Sequence, residues 1–146
     1  MRGKWLYRAL LVISLVTVLS GFAQAVRPDL VLQVVGGDPN PAARHFFAIV
    51  GMFMVLFGGM LLQALVTAGD HSVAVLWAGM QKLGAAAAVG LGVGKGIFSA
   101  LALSGAAFDL LSGILILVYL SRTRPTSPLA PVAVGRPWAS AEATPR

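Results

Sequence analysis

Lys82 and Asp109 are ionisable side chains inside otherwise apolar runs, "AVLWAGMQKLGAAAAV" and "ALSGAAFDLLSGILIL". A charged group at the centre of a membrane helix costs at least about 2.5–3.5 kcal/mol, so such residues pair or serve an ion or proton path. Their spacing brings them to one level. Lys82 lies as far before a turn centred on Lys95–Gly96 as Asp109 lies after it. On antiparallel helices both would sit about 20 Å from that turn at 1.5 Å per residue. Three chemistries are open to them. A buried ion pair would fix the register of a helical hairpin. A relay would use Asp109 as the group that changes protonation and Lys82 as the group that tunes it. In the third, Lys82 stays unpaired and leans toward its helix N-terminus and the interface.

The residues around the two support close approach. Lys82, Ala86, Gly90 and Gly94 form one stripe at i, i+4 spacing, and Gly105, Asp109 and Gly113 form another. Small residues at that spacing let helix backbones touch in lipid. A further stripe, Gly84, Ala88, Gly92 and Gly96, is left for a contact with another chain if the first is used internally.

Other polar residues offer less. Gln63 and Gln81 suit interhelical hydrogen bonds. His45 and His71 stand at opposite ends of one apolar segment, about 39 Å apart as helix, so one subunit cannot place both on one metal. With no cysteine, disulfide, thiolate and cysteine–zinc chemistry are excluded. "GLGVGKG" fails as a phosphate loop, since Gly96 follows Lys95 where Ser or Thr is needed and Val89 stands where the first glycine belongs. It fails as a dinucleotide fingerprint too, with Lys95 or Ile97 at the third position. No serine has a His–Asp set at matching depth. Neither a catalytic set, a cofactor nor a metal is expected.

The elements that must position these residues follow from composition. Of 146 residues, 58% are hydrophobic and 11% charged, against about a quarter charged in a soluble domain. The mean hydropathy is +0.84. The net charge of +6 comes from residues near the two ends, with no basic face carrying interleaved aromatics, so nucleic acid is not an expected partner. The lipid bilayer is. Four segments are long enough to cross it as helices, about 6–25, 45–67, 72–93 and 97–120. In "GGDPNPAARHFF", Asn40 suits an N-cap and Pro41 the first helical position. "TAGDHS" and "GVGKGIF" are breaks, the latter a tight turn. "RPDLVLQVV" reads equally as a short interfacial helix or an extended piece.

The first segment raises a separate question. "MRGKWLYR", the apolar "ALLVISLVTVLSGF" and Ala23-Gln24-Ala25 have the layout of a signal peptide, but Trp5, Leu6 and Tyr7 lengthen the apolar stretch to about twenty residues, enough for a first membrane helix. The latter is the reading adopted. Arg2, Lys4 and Arg8 before the first span, and Arg122 and Arg124 after the last, place both termini on the cytoplasmic side. Trp5, Tyr7, Trp77 and Tyr119 all fall at that interface. Residues 121–146, with five of the eight prolines, are expected to form a disordered cytoplasmic tail.

"PAARHFFAIVGMFMVLFGGMLL" and "AAFDLLSGILILVYLSR" resemble the second and fourth helices of small bacterial DoxX-like membrane proteins. The resemblance implies a four-helix bundle and no activity. Small multidrug transporters also have four short helices, but carry a glutamate in the first. The segment 6–25 has no acid, which argues against that class. The expectation is therefore an all-α, integral four-helix bundle of a bacterial inner membrane. Its expected role is a non-enzymatic accessory or structural subunit in a homo-oligomer or a larger membrane complex. The alternative is a small transporter or proton relay centred on Lys82 and Asp109.

Overall fold

The computed structural model describes residues 2–123. The chain folds into α1 (Arg2–Val26), α2 (Pro28–Val34), α3 (Pro41–Val66), α4 (Ser72–Gly94) and α5 (Ala102–Thr123), with no strand among the described residues. Four of these, counting Lys4–Val26 of α1, are long and apolar enough to cross a membrane. Their outward faces carry Leu15, Leu19, Phe22, Phe53, Leu56, Leu111 and Ile114, apolar groups that water would not tolerate together but lipid solvates. The proposed tail lies outside the described residues, except that 121–123 belong to α5.

The helix ends obey local chemistry. Asn40 caps α3, its side chain accepting from Ala43 N at 2.9 Å, and Pro41 opens the helix where its missing N–H is no loss. The helix thus starts four residues before the apolar segment at His45. "RPDLVLQVV" is helical: α2 has Pro28 in its first turn. It ends as α4 does. Gly36 N donates to Gln33 O and Gly37 N to Leu32 O; Gly96 N donates to Val93 O and Ile97 N to Gly92 O. Both are Schellman turns, which need a left-handed residue after the helix. Gly36 (φ 73°) and Gly96 (φ 71°) supply it.

The last helix begins at Ala102, not at 97. After the Schellman turn at Gly96, Phe98 folds back over Gly92, and Ser99 N and Oγ both donate to Val35 O, at 2.9 and 3.1 Å. Ala102, Leu103 and Ser104 then donate to the carbonyls three residues before them. This tighter winding rises about 2 Å per residue. Lys82 is 12 residues before Gly94 and Asp109 only 7 after Ala102, and the tight turns make up much of the difference in depth.

The bundle is two antiparallel pairs, α1 with α3 and α4 with α5. In the first, backbones touch. A Cβ on Gly51 would lie 2.6 Å from Gly21 O, and one on Gly58 would lie 3.2 Å from Ser14 O. Ser14 and Thr17, buried in α1, return their hydroxyls to Leu10 O and Ile13 O at 2.7 and 2.8 Å, so no polar group is left bare where the helices meet. In the second pair Gly79 receives Ile116 and Leu117, and Gly113 receives Leu83. The pairs meet in a core of Leu6, Leu10, Ile13, Leu61, Leu65, Val75, Ala78, Ile116 and Leu120. All belong to the end of the bundle that holds the start of α1 and the end of α5. Tyr7 packs on this core and donates its hydroxyl to Leu65 O at 3.2 Å. Trp5 and Trp77 are exposed near the same end.

Candidate functional site

Lys82 is on α4 and Asp109 on α5, and the close approach of these helices at Gly79 and Gly113 brings their charges together. Lys82 Nζ donates to Asp109 Oδ1 at 2.5 Å, with the lysine side chain 4% exposed and the aspartate 16%. The ammonium also lies 5.1 Å from the centre of the Phe108 ring, a cation–π contact that adds to its compensation. In a bilayer such pairing removes the need for Lys82 to reach the interface. The pair is asymmetric. The lysine is enclosed, whereas the aspartate commits only Oδ1 and borders a cavity.

That cavity, of about 240 Å³, occupies the end of the bundle remote from the core. Its walls are Phe47, Val50 and Met54 of α3, Gln81, Ala85 and Val89 of α4, and Ala102, Gly105 and Asp109 of α5. Val31 of α2, Val35 just after it and Phe98 cover it, and Gln24 of α1 completes it. Gln24 donates Nε2 to Phe47 O at 3.0 Å. The two Schellman turns are tied together at this end, where Ser99 binds Val35 O.

The small residues divide by role. Gly113 packs against Leu83, and Gly92, buried, lies under Phe98. Gly84, Gly90, Gly94 and Gly105 face open space, with nothing within 4 Å of a Cβ placed there, and Ala88 is exposed. The Gly84, Ala88, Gly92, Gly96 stripe is therefore interrupted at Gly92, which Phe98 occupies. The glycines at which an added Cβ would meet a neighbouring helix's backbone are Gly21, Gly51, Gly58 and Gly113, and of these only Gly113 belongs to the stripes read from the sequence. A signal existed: Ser14, Thr17 and Gly21 run at helical spacing in α1, and Gly51 and Gly58 are seven apart in α3.

Gln81 lines the cavity, while Gln63 is exposed on α3. His45 is exposed beside Phe46, ring centres 6.1 Å apart. His71 differs: its Nε2 is buried without a hydrogen-bond partner among the described residues. It lies in a second hollow of about 320 Å³ with Asp70, Ser72, Tyr119 and Thr123. Asp70 accepts from Ser72 N at 2.9 Å, and this backbone hydrogen bond holds its carboxyl below the usual aspartate range. No group of three or more His, Asp or Glu side chains converges as a metal site would among the described residues.

No protein-family model matches this chain, and neither a curated protein nor a solved structure is similar to it.

Proposed function

We propose that this small multi-pass membrane protein is a non-enzymatic accessory or structural subunit of a bacterial inner membrane, with both termini cytoplasmic. One observation carries the reading. The charged pair within the spans is satisfied internally, while a face of α4 is left uncovered. Trp77, Met80, Gly84, Ala87 and Leu91 are all exposed and recur at alternating spacings of three and four. That is the spacing of a helix–helix seam, with small residues between large ones as close packing in lipid requires. The occupant is a second copy of the chain or a helix of a larger complex. The likeness to DoxX-like proteins supports a bundle and adds no activity.

A transporter or proton relay is the second reading, favoured by the position of Asp109 at the cavity wall. One experiment separates them. The purified protein and Asp109→Asn are reconstituted into vesicles with an internal pH dye and a pH step is applied. The subunit reading expects no flux from either. A flux carried by the wild type and lost in a folded Asp109→Asn protein would overturn it.

A further inference from the structure

The geometry points to the 240 Å³ cavity as a binding site for a small uncharged molecule, mostly apolar and bearing one O–H or N–H donor, taken up from the bilayer. Neither a structural subunit nor a relay requires such a site, so the inference stands apart from the choice between them.

Size comes first. An apolar cavity of about 150 Å³ inside a protein stays dry and admits benzene. One of about 240 Å³ accommodates a molecule about the size of two fused rings. Its walls are dominated by Val31, Val35, Phe47, Val50, Met54 and Phe98, and pockets of this kind use a few placed polar groups to orient a ligand.

Charge decides the class. Asp109 is compensated by Lys82 at 2.5 Å, so a cation entering the cavity finds no net attraction that is not already used. An anion would meet the carboxylate directly while the ammonium lies behind it, 3% exposed as a residue. A neutral hydrogen-bond donor remains. Asp109 Oδ2 is not engaged by Lys82, Gln24 Oε1 is free of the bond that Nε2 makes to Phe47 O, and Gln81 lines the same cavity. A hydrogen bond to an ionised acceptor is among the stronger neutral-ligand contacts available in an apolar site.

Access is lateral. Gly105 and Val50 line the cavity and are also exposed on the outer surface of the spans, and no other element lies within 4 Å of a Cβ placed on Gly105. Phe47, Val50 and Phe98 are shared with a hollow at the loop end, whereas the opening beside Gly105 gives onto the apolar outer face of the bundle, the route for a molecule dissolved in the bilayer.

The test uses the full chain in lipid nanodiscs at neutral pH, with naphthol as the donor-bearing probe, naphthalene as its donor-free counterpart and naphthoate as its anion. Fluorescence titrations are read against empty nanodiscs. Naphthol should bind saturably, one per chain, and naphthalene about tenfold or more weakly. Gly105→Leu should fill the rim and abolish binding with an unchanged melting temperature. If it melts early, Ala85→Leu fills the cavity from the opposite wall. Gln81→Leu should narrow the gap between naphthol and naphthalene. No saturable naphthol binding, binding indifferent to the filling variants, or naphthoate binding as tightly as naphthol would each overturn the proposal.

Discussion

Gly21 and Gly51 bring the backbones of α1 and α3 into direct contact: a Cβ added to Gly51 would lie 2.6 Å from Gly21 O and 2.5 Å from Ala25 N. Because both obstacles are backbone, the collision cannot be relieved by a rotamer change. Gly51→Ala should therefore destabilise the bundle by about 2 kcal/mol, the scale of overpacking in a tight interior. Gly59→Ala is the control, one α3 residue beyond Gly58, with nothing within 4 Å of its added Cβ. It should melt at or above the wild-type temperature. Equal losses at the two positions would contradict the α1–α3 contact.

The Lys82–Asp109 pair predicts a characteristic pattern in a double-mutant cycle. Removing one partner strands a charge in an enclosed site, which costs about 3–5 kcal/mol, whereas replacing both by apolar groups can be neutral or stabilising. Lys82→Met and Asp109→Leu should each lower thermal stability in detergent, and the double variant should recover most of it. Additive losses would mean that the two charges are not coupled.

Residues 1–25 are predicted to remain in the mature protein. Leu6, Leu10 and Ile13 are 2%, 0% and 6% exposed and belong to the core shared by both helix pairs. Signal-peptide removal would open that core. The intact mass of protein purified from its native membrane should be near 15.1 kDa. A mass lower by Met1–Ala25 would show cleavage and would require another subunit to fill the gap.

Asp70 gives a pH dependence with a definite sign. The Ser72 amide favours the ionised carboxyl, so the folded-state pKa lies below the ordinary one. Stability from this contact is present above the ordinary aspartate pKa and is lost as pH falls through the lower, folded-state value. Asp70→Ala should melt a few degrees below wild type at neutral pH, and the gap should close in acid. A gap that persists below the carboxylate range would assign it to something other than the ionised Asp70 carboxylate.

The start of α5 was not legible from spacing alone. "GVGKGIF" reads as a turn followed at once by helix, because Ile97 and Phe98 are apolar and suit a span. In the fold Phe98 instead covers Gly92 and Ser99 reaches Val35, 64 residues earlier in the chain. A contact so distant in sequence overrides local preference and delays the helix to Ala102. The unpartnered Nε2 of His71 was equally hidden, since it depends on the packing around the hollow that Tyr119 and Thr123 help to line.

Four spans, the cap at Asn40, the tight turn around Lys95–Gly96 and the common level of Lys82 and Asp109 are legible along the chain. Each rests on a constraint counted along the chain: bilayer thickness, unsatisfied amides at helix ends, and rise per residue. Which glycines serve packing follows from the fold rather than from spacing. Gly21, Gly51, Gly58, Gly79 and Gly113 receive a neighbour, while Gly84, Gly90 and Gly105 face open space. Small residues recur on several faces of these helices, and which face turns inward depends on the rotation of each helix about its axis. That rotation is fixed by the partner helix, through the fit of all its side chains at once.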